Sequence, residues 1–315
     1  MIGCGWACRF LLHGWDVALY DKDPDADVRI SKMLHRARAA LTQIYDNALP
    51  DEGTMTIASS IDEAVKSAHW VQESLPESLD LKRSIYAGIE SNLTPATPLA
   101  SSTSGFKPSD LTAGLDCASQ FVVSHPFNPV YLLPAVELVP SALATEDFKN
   151  QCAATLRALG MYPVVINTEI DAHIADRLME ALWREALWLV ADGVATTQQI
   201  DEVMRHGFGL RWAQMGLFET YRIGGGEAGM RHFLAQFGPA LAWPWSRLTD
   251  VPDLDAALIE KIACQSDEQS GHLSVTELET KRDANLVAIL DALKKTNSGA
   301  GAHINDYLLK RGSRT

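Results

Sequence analysis

Short runs of strand-forming residues recur through the first half of the chain, at positions 17–20, 56–58, 69–73, 98–102, 121–124, 136–139 and 163–167. Between several of them lie stretches with helical periodicity, at 6–13, 25–46, 78–92 and 145–159. A strand followed by a helix cannot return as a hairpin. The helix crosses over the sheet, and the next strand runs parallel to the last. This alternation predicts a largely parallel sheet with helices on both faces.

The pattern changes near Asp171. Positions 172–190 read as one long helix, with Ala175, Leu178, Leu182, Ala186 and Leu189 at i, i+3, i+4 spacing. Further helical patterns cover 197–205, 228–236, 255–263 and 275–294. The expected fold class is therefore α/β: a dinucleotide-binding domain of Rossmann type over residues 1–168, then an all-helical domain over residues 169–315 for substrate binding and dimerisation. Residues 296–301 read as a flexible connector to a loose tail.

Composition excludes several functions. Apolar residues make up 47% of the chain and charged residues 21%, enough for a real core. No run approaches the roughly 18 consecutive apolar residues of a membrane span. A net charge of −13 opposes binding to nucleic acid or anionic lipid. The five cysteines (Cys4, Cys8, Cys117, Cys152 and Cys264) are scattered with no metal-ligand spacing. They read as reduced packing residues of a cytoplasmic protein, and no metal is expected.

The opening residues MIGCGWACRFLLHGWDVALYD resemble the second half of a β-α-β unit. Gly3 fits the third glycine of a phosphate-binding turn, with Gly5 close behind, and Asp21 closes the next strand where an acid takes ribose hydroxyls. The first strand and the first two glycines would precede Met1, by about a dozen residues. A literal glycine match at 224–229 follows no strand and reads as a loop between helices.

The stretches SSTSGF (101–106) and SHPFNPVYLLPAVELV (124–139) hold the reactive groups. A histidine at the carboxyl end of a strand faces the ligand crevice of an open α/β sheet. His125 stands there, and an imidazole takes a proton near neutral pH. A carboxylate on its second nitrogen would fix the tautomer. Asn128 and the Ser104 hydroxyl can hold a substrate oxygen. From the residues alone, a structural histidine remains open.

The ordered set of Gly3 and Gly5, Asp21, Glu77 with Lys82, SSTSG, HPFNPV and Glu137 resembles the 3-hydroxyacyl-CoA dehydrogenase superfamily across essentially the whole chain. HPFNPVYLLPAVELV, RWAQMGLFETYRIGGGEAGMRHFLAQFGPAL and WPWSRLTDVP most resemble its branch that oxidises L-carnitine. The resemblance implies that His125 is the base, that Glu137 is its charged partner, and that Ser104 and Asn128 line the reacting oxygen and the nicotinamide. It implies NAD as cofactor, held by Gly3, Gly5, Asp21, Glu77, Lys82, Ser104 and Asn128, and a homodimer acting on a small molecule. An acid at Asp21 favours NAD over its 2′-phosphorylated form.

One position departs from the family pattern. Asp176 stands where an asparagine often opens the long helix. Asp176, Glu180 and Trp183 share a helix face at i, i+4, i+7. A trimethylammonium accepts no hydrogen bond and favours aromatic faces and carboxylates. Asp176 with Trp212, Phe218 and Tyr221 is a candidate set for it. Ordinary helix packing is the alternative. Two other functions stay open: a related dehydrogenase of L-gulonate or 3-hydroxybutyryl-CoA, and a non-catalytic chain with impaired cofactor binding. No lysine-rich patch in the first domain favours CoA.

Overall fold

The computed structural model describes residues 1–45, 49–224, 229–237, 245–246, 255–258, 260–261, 272 and 275–312. By density of internal contacts these fall into two compact units. Unit one holds Met1–Arg177, Leu286–Asp291 and His303–Thr315, and unit two holds Leu178–Asn285 and Ala292–Ala302.

Unit one opens with helix α1 (Ile2–Leu12), strand β1 (Val17–Leu19), helix α2 (Ala26–Ile44) and strand β2 (Met55–Ile57). There follow α3 (Ile61–Val65), β3 (Val71–Glu73), α4 (Leu79–Ile89), β4 (Leu99–Ser101), α5 (Pro108–Leu111), β5 (Phe121–Pro126), β6 (Ala135–Pro140), α6 (Glu146–Ala158) and β7 (Tyr162–Val165). The strands form two pieces: a parallel pair β1-β2, and a five-stranded sheet in the order β3-β4-β5-β6-β7. β1 and β3 do not pair with each other, and α1 packs beside both.

The sheet is largely parallel, as expected, with one exception. β5 and β6 run antiparallel, while the other neighbouring strands are parallel. The link between β5 and β6 carries no helix, so the chain turns directly back. Prolines at 126, 129 and 134 shape that return.

Burial explains the apolar runs. Every residue of β5 is buried. Alternation then splits its side chains between the two faces. Val122 joins Trp6 and Phe10 of α1, Ala100, Val136, Leu138, and Phe148 and Leu156 of α6 in one cluster. Phe121 and Val123 join Tyr86 and Ile89 of α4, Leu99, Leu111 and Val139 in the other. Helix α1 lies close on the link between β5 and β6 because Gly5 lacks a side chain. A β-carbon there would sit 2.9 Å from Cβ of Val130. Such overpacking costs about 1–3 kcal/mol.

The helical pattern from 172 also needs correction. Helix α7 begins only at Ala175 and runs to Ala191. Ala172 and His173 lie in left-handed backbone, at φ 63° and 51°, which no right-handed helix can include. Beyond α7 come α8 (Thr197–Val203), α9 (Gly209–Gly224), broken at Gly216 where φ is 69°, α10 (Gly229–Phe237), α11 (Val275–Lys295) and α12 (Gly299–Gly312). Thr196 and Gln199 close the start of α8 with reciprocal side-chain bonds. Of the expected helix at 255–263, residues 256–258, 260 and 261 are helical, while 259, 262 and 263, like most of the glycine match at 224–229, fall outside the described residues.

The expected loose tail is instead α12. Its Ile304 and Leu308 are buried, and Tyr307 packs on His13 and Tyr45 in unit one. A small apolar stripe on an otherwise polar helix docks it, and that stripe is too short to stand out as periodicity.

Candidate active site

Strands β3, β4 and β5 are parallel neighbours, so their carboxyl ends open on one edge. Ligands bind outside such an edge. From β3 the chain leads to Ser74 and Glu77, from β4 to the Ser101–Gly105 loop, and at the end of β5 to His125 and Asn128. The sheet thus gathers residues that lie far apart in sequence.

The antiparallel register sets His125 directly opposite Glu137 on β6. Their side chains meet, with His125 Nδ1 2.8 Å from Glu137 Oε2, and both are buried. A carboxylate accepts, so Nδ1 carries the proton and Nε2 offers its lone pair. The second oxygen, Oε1, accepts the backbone N–H groups of Ile174 (2.9 Å) and Ala175 (3.0 Å). These are donors at the amino end of α7, where the helix dipole favours negative charge. Burial alone would push the Glu137 carboxyl up. The bonds from His125, Ala175 and Ile174 outweigh that and hold it below the ordinary carboxylate value.

Glu77 lies beside the other half of the site. Its Oε1 accepts from the Thr103 hydroxyl and from the N–H groups of Ser104 and Gly105, each at 3.2 Å for the two amides. Its Oε2 lies 3.4 Å from Lys82 Nζ. Lys82 is itself fully buried, 2.9 Å from Glu73 Oε1. Tyr86 and Ser101 donate to Glu73 Oε2. Burial, and then the Glu73 charge, push the Tyr86 hydroxyl far up, so it stays a donor. Lys82 therefore reaches Glu77 from within the protein, as part of a buried ionic network. A solvated surface pair does not describe it. Ser104 and Asn128 both have exposed side chains at this edge.

An NAD site is testable on the residues present. Helix α1 has no side-chain cap and no acid in its first turn, which leaves its N–H groups for a pyrophosphate. Gly3 lies where a β-carbon would be 3.3 Å from Ser74, so α1 and the loop after β3 approach closely. Asp21, just past β1, is half exposed, 3.7 Å from Arg29, with Oδ1 accepting from the Asp23 N–H. These residues fit the cofactor.

Of the candidate trimethylammonium residues, Asp176 belongs to unit one and Trp212, Phe218 and Tyr221 to unit two. Asp176 is partly buried in the first turn of α7. Glu180 pairs with Arg184 at 3.4 Å, and Trp183 is exposed. In unit two, Trp212 stacks near Phe208 (4.5 Å between centroids) and Tyr221 on Phe233 (4.7 Å), while Phe218 is exposed. Among the described residues, no ring contact joins Trp212, Phe218 and Tyr221 to one another.

Sequence reading missed Glu73, Thr103 and His173. Glu73 stood in a β-rich run with nothing to mark it, and Thr103 stood inside the quoted SSTSGF stretch, where only Ser104 was singled out. His173 stood inside an apparent helix, although a histidine three residues before Asp176 was visible.

Residues 1–170 match the family model of the 3-hydroxyacyl-CoA dehydrogenase NAD binding domain, and residues 173–254 match that of the 3-hydroxyacyl-CoA dehydrogenase C-terminal domain. A protein of Ruegeria pomeroyi named L-carnitine dehydrogenase/betainyl-CoA thioesterase is 54% identical over 98% of this chain and 63% of its own length. One of the same name from Agrobacterium fabrum is 56% identical over 96% of this chain and 61% of its own. The chain thus spans less than two thirds of these two relatives. An L-carnitine dehydrogenase of Mesorhizobium japonicum is 50% identical, covering 98% of this chain and 86% of its own. Among solved structures, an NAD+ dependent 5-formyl-3-hydroxy-2-methylpyridine 4-carboxylic acid 5-dehydrogenase matches with a TM-score of 0.77 at 25% identity, covering 93% of this chain and 95% of that one. Escherichia coli 3-hydroxybutyryl-CoA dehydrogenase shares the fold, with a TM-score of 0.58 at 20% identity over 84% of this chain and 54% of that one. On the family models and these relatives together, the chain belongs to the 3-hydroxyacyl-CoA dehydrogenase family.

Proposed function

We propose that the protein is an NAD-dependent dehydrogenase that oxidises L-carnitine to 3-dehydrocarnitine. The observation that carries the oxidoreductase reading is the line from the α7 amino end through Glu137 to His125. Likeness to relatives named L-carnitine dehydrogenase supports the substrate.

The geometry supports the following roles. Nε2 of His125 takes the proton of the substrate's 3-hydroxyl. The imidazolium that results lies against a carboxylate already held ionised, so charge separation at the base is offset locally. Ser104 and Asn128 orient the substrate oxygen at the strand edge. Glu77 holds the Ser104 loop from one side, and Lys82 fixes Glu77. Helix α1 and Asp21 would hold NAD, which when bound would accept the hydride from carbon 3.

Substrate choice is tested by NADH formation with L-carnitine, L-gulonate and 3-hydroxybutyryl-CoA. The expected result is a kcat/KM for L-carnitine at least about 100-fold above either alternative, the discrimination a site gains by pairing a buried polar or charged group. Preference for another substrate, or no NADH with any, overturns the reading.

Asp176 is proposed to face the trimethylammonium. Replacing it by asparagine keeps shape and removes charge. The KM for L-carnitine is expected to rise roughly 5- to 30-fold, the equivalent of about 1–2 kcal/mol. An unchanged KM removes Asp176 from cation recognition.

A cytoplasmic homodimer completes the proposal. Cys4, Cys8, Cys117 and Cys152 are free thiols, which supports a reducing compartment. Among the described residues, no helix is long and apolar enough to cross a membrane. On α7, Leu178, Met179, Leu182 and Trp183 are exposed, an apolar stripe that a second subunit would cover.

A further inference from the structure

We propose that His173 is a positioning residue, whose ring holds the Thr103 carbonyl and thereby keeps Ser104 in register with His125. The inference rests on the dehydrogenase reading above and deepens it.

Residues 172–175 form one corner that touches both halves of the site. On one side, the Ala172 N–H donates to the Gly105 carbonyl at 3.0 Å, and His173 Nε2 lies 3.3 Å from the Thr103 carbonyl. These two bonds bracket Ser104. On the other side, the Ile174 and Ala175 N–H groups grip Glu137, which orients His125. Four consecutive residues thus tie the hydroxyl-bearing loop and the base to a single rigid turn. Glu77 grips the same loop, but its side chain is 44% exposed, whereas His173 is wholly buried.

A carbonyl only accepts, so Nε2 of His173 carries a proton. Nδ1 is buried and makes no hydrogen bond among the described residues. Burial, and then the nearby His125, hold the ring neutral. The two imidazoles lie 5.6 Å apart between centroids. Filling space does not account for such a residue. A buried polar atom with no partner costs about 1–3 kcal/mol, and an apolar ring of similar size avoids that cost. A left-handed backbone at a bulky residue costs about 1–3 kcal/mol more. What imidazole adds over an apolar ring is the donor to Thr103.

The test compares His173→Phe, which keeps the ring and loses the donor, with His173→Gln, whose amide nitrogen can replace Nε2. In the phenylalanine variant kcat for L-carnitine is expected to fall roughly 10- to 100-fold, as for a catalytic group displaced by about 1 Å, with KM for NAD changed less than about threefold. Amide hydrogen exchange over residues 101–106, measured without substrate, is expected to quicken. Glutamine is expected to restore both. Should His173→Phe fail to fold, His173→Asn serves in its place, because its shorter amide cannot reach Thr103.

Wild-type kcat in the variant lacking the donor, unchanged exchange in the loop, or glutamine no better than phenylalanine each overturns the proposal. If the unaltered protein oxidises no carnitine, the dehydrogenase reading falls, and the exchange comparison still decides the role of His173.

Discussion

Replacing His125 by glutamine is expected to lower NADH formation from L-carnitine by roughly two to four orders of magnitude, the range for loss of a general base. The amide of glutamine has no basic lone pair near neutral pH. Its shape is close enough to leave β5 in place, since the other residues of that strand are buried as well. Binding of NAD should change little, because α1 and Asp21 approach from other strands. Steady-state kinetics with NAD titration checks both statements. Turnover within about threefold of the unaltered protein would show that His125 is not the base and would remove the proposed reaction with it.

Glu137→Gln is expected to cost roughly 10²- to 10³-fold in kcat while costing about 1–3 kcal/mol of stability. The reason is an excess of donors. Glu137 accepts from three groups, His125 Nδ1, Ile174 N–H and Ala175 N–H, with both oxygens engaged. Glutamine has one accepting oxygen. If the oxygen faces the helix, the amide nitrogen meets His125 Nδ1 and favours the tautomer with Nε2 protonated, which cannot act as base. If the oxygen faces His125, the amide nitrogen points at two N–H groups.

The same residue predicts a pH effect with a definite sign. A carboxyl whose folded value is lowered contributes stability above its unfolded value, and that stability is lost as pH falls through the lowered value. Thermal unfolding midpoints should therefore drop on acidification across and below the ordinary carboxylate range. The drop should be shallower in Glu137→Gln. Equal slopes for the two proteins would show that Glu137 is not held ionised by its neighbours.

Much of the site was legible because its chemistry lies in short contiguous runs. HPFNPV places a histidine just at the end of a buried strand, and local order alone determines where that strand ends. The same holds for the SSTSG loop after β4. The sheet order was not legible in this way. Nothing local distinguishes the antiparallel return of β6 from a parallel crossover except the missing helix, yet that return puts Glu137 opposite His125. The resemblance marks Lys82 as a cofactor contact, but nothing local shows that it is buried. Its burial depends on Glu73, nine residues earlier and on another element. The alternation of period also misled at 172–173. Both residue types suit a helix, and only contacts with Gly105 and Thr103 make the left-handed turn worthwhile.

The sequence by itself determined the alternating first half and the helical second half, and it marked His125 as the candidate base, since these follow from periodicity and from residues adjacent along the chain. Tertiary structure decided the strand register by which Glu137 meets His125, that the last helix from His303 onward belongs to the first unit, and that His173 lies beside His125. Those outcomes depend on which distant segments share a buried edge. Burial energy is summed over the whole packed unit, so no local window of residues carries it.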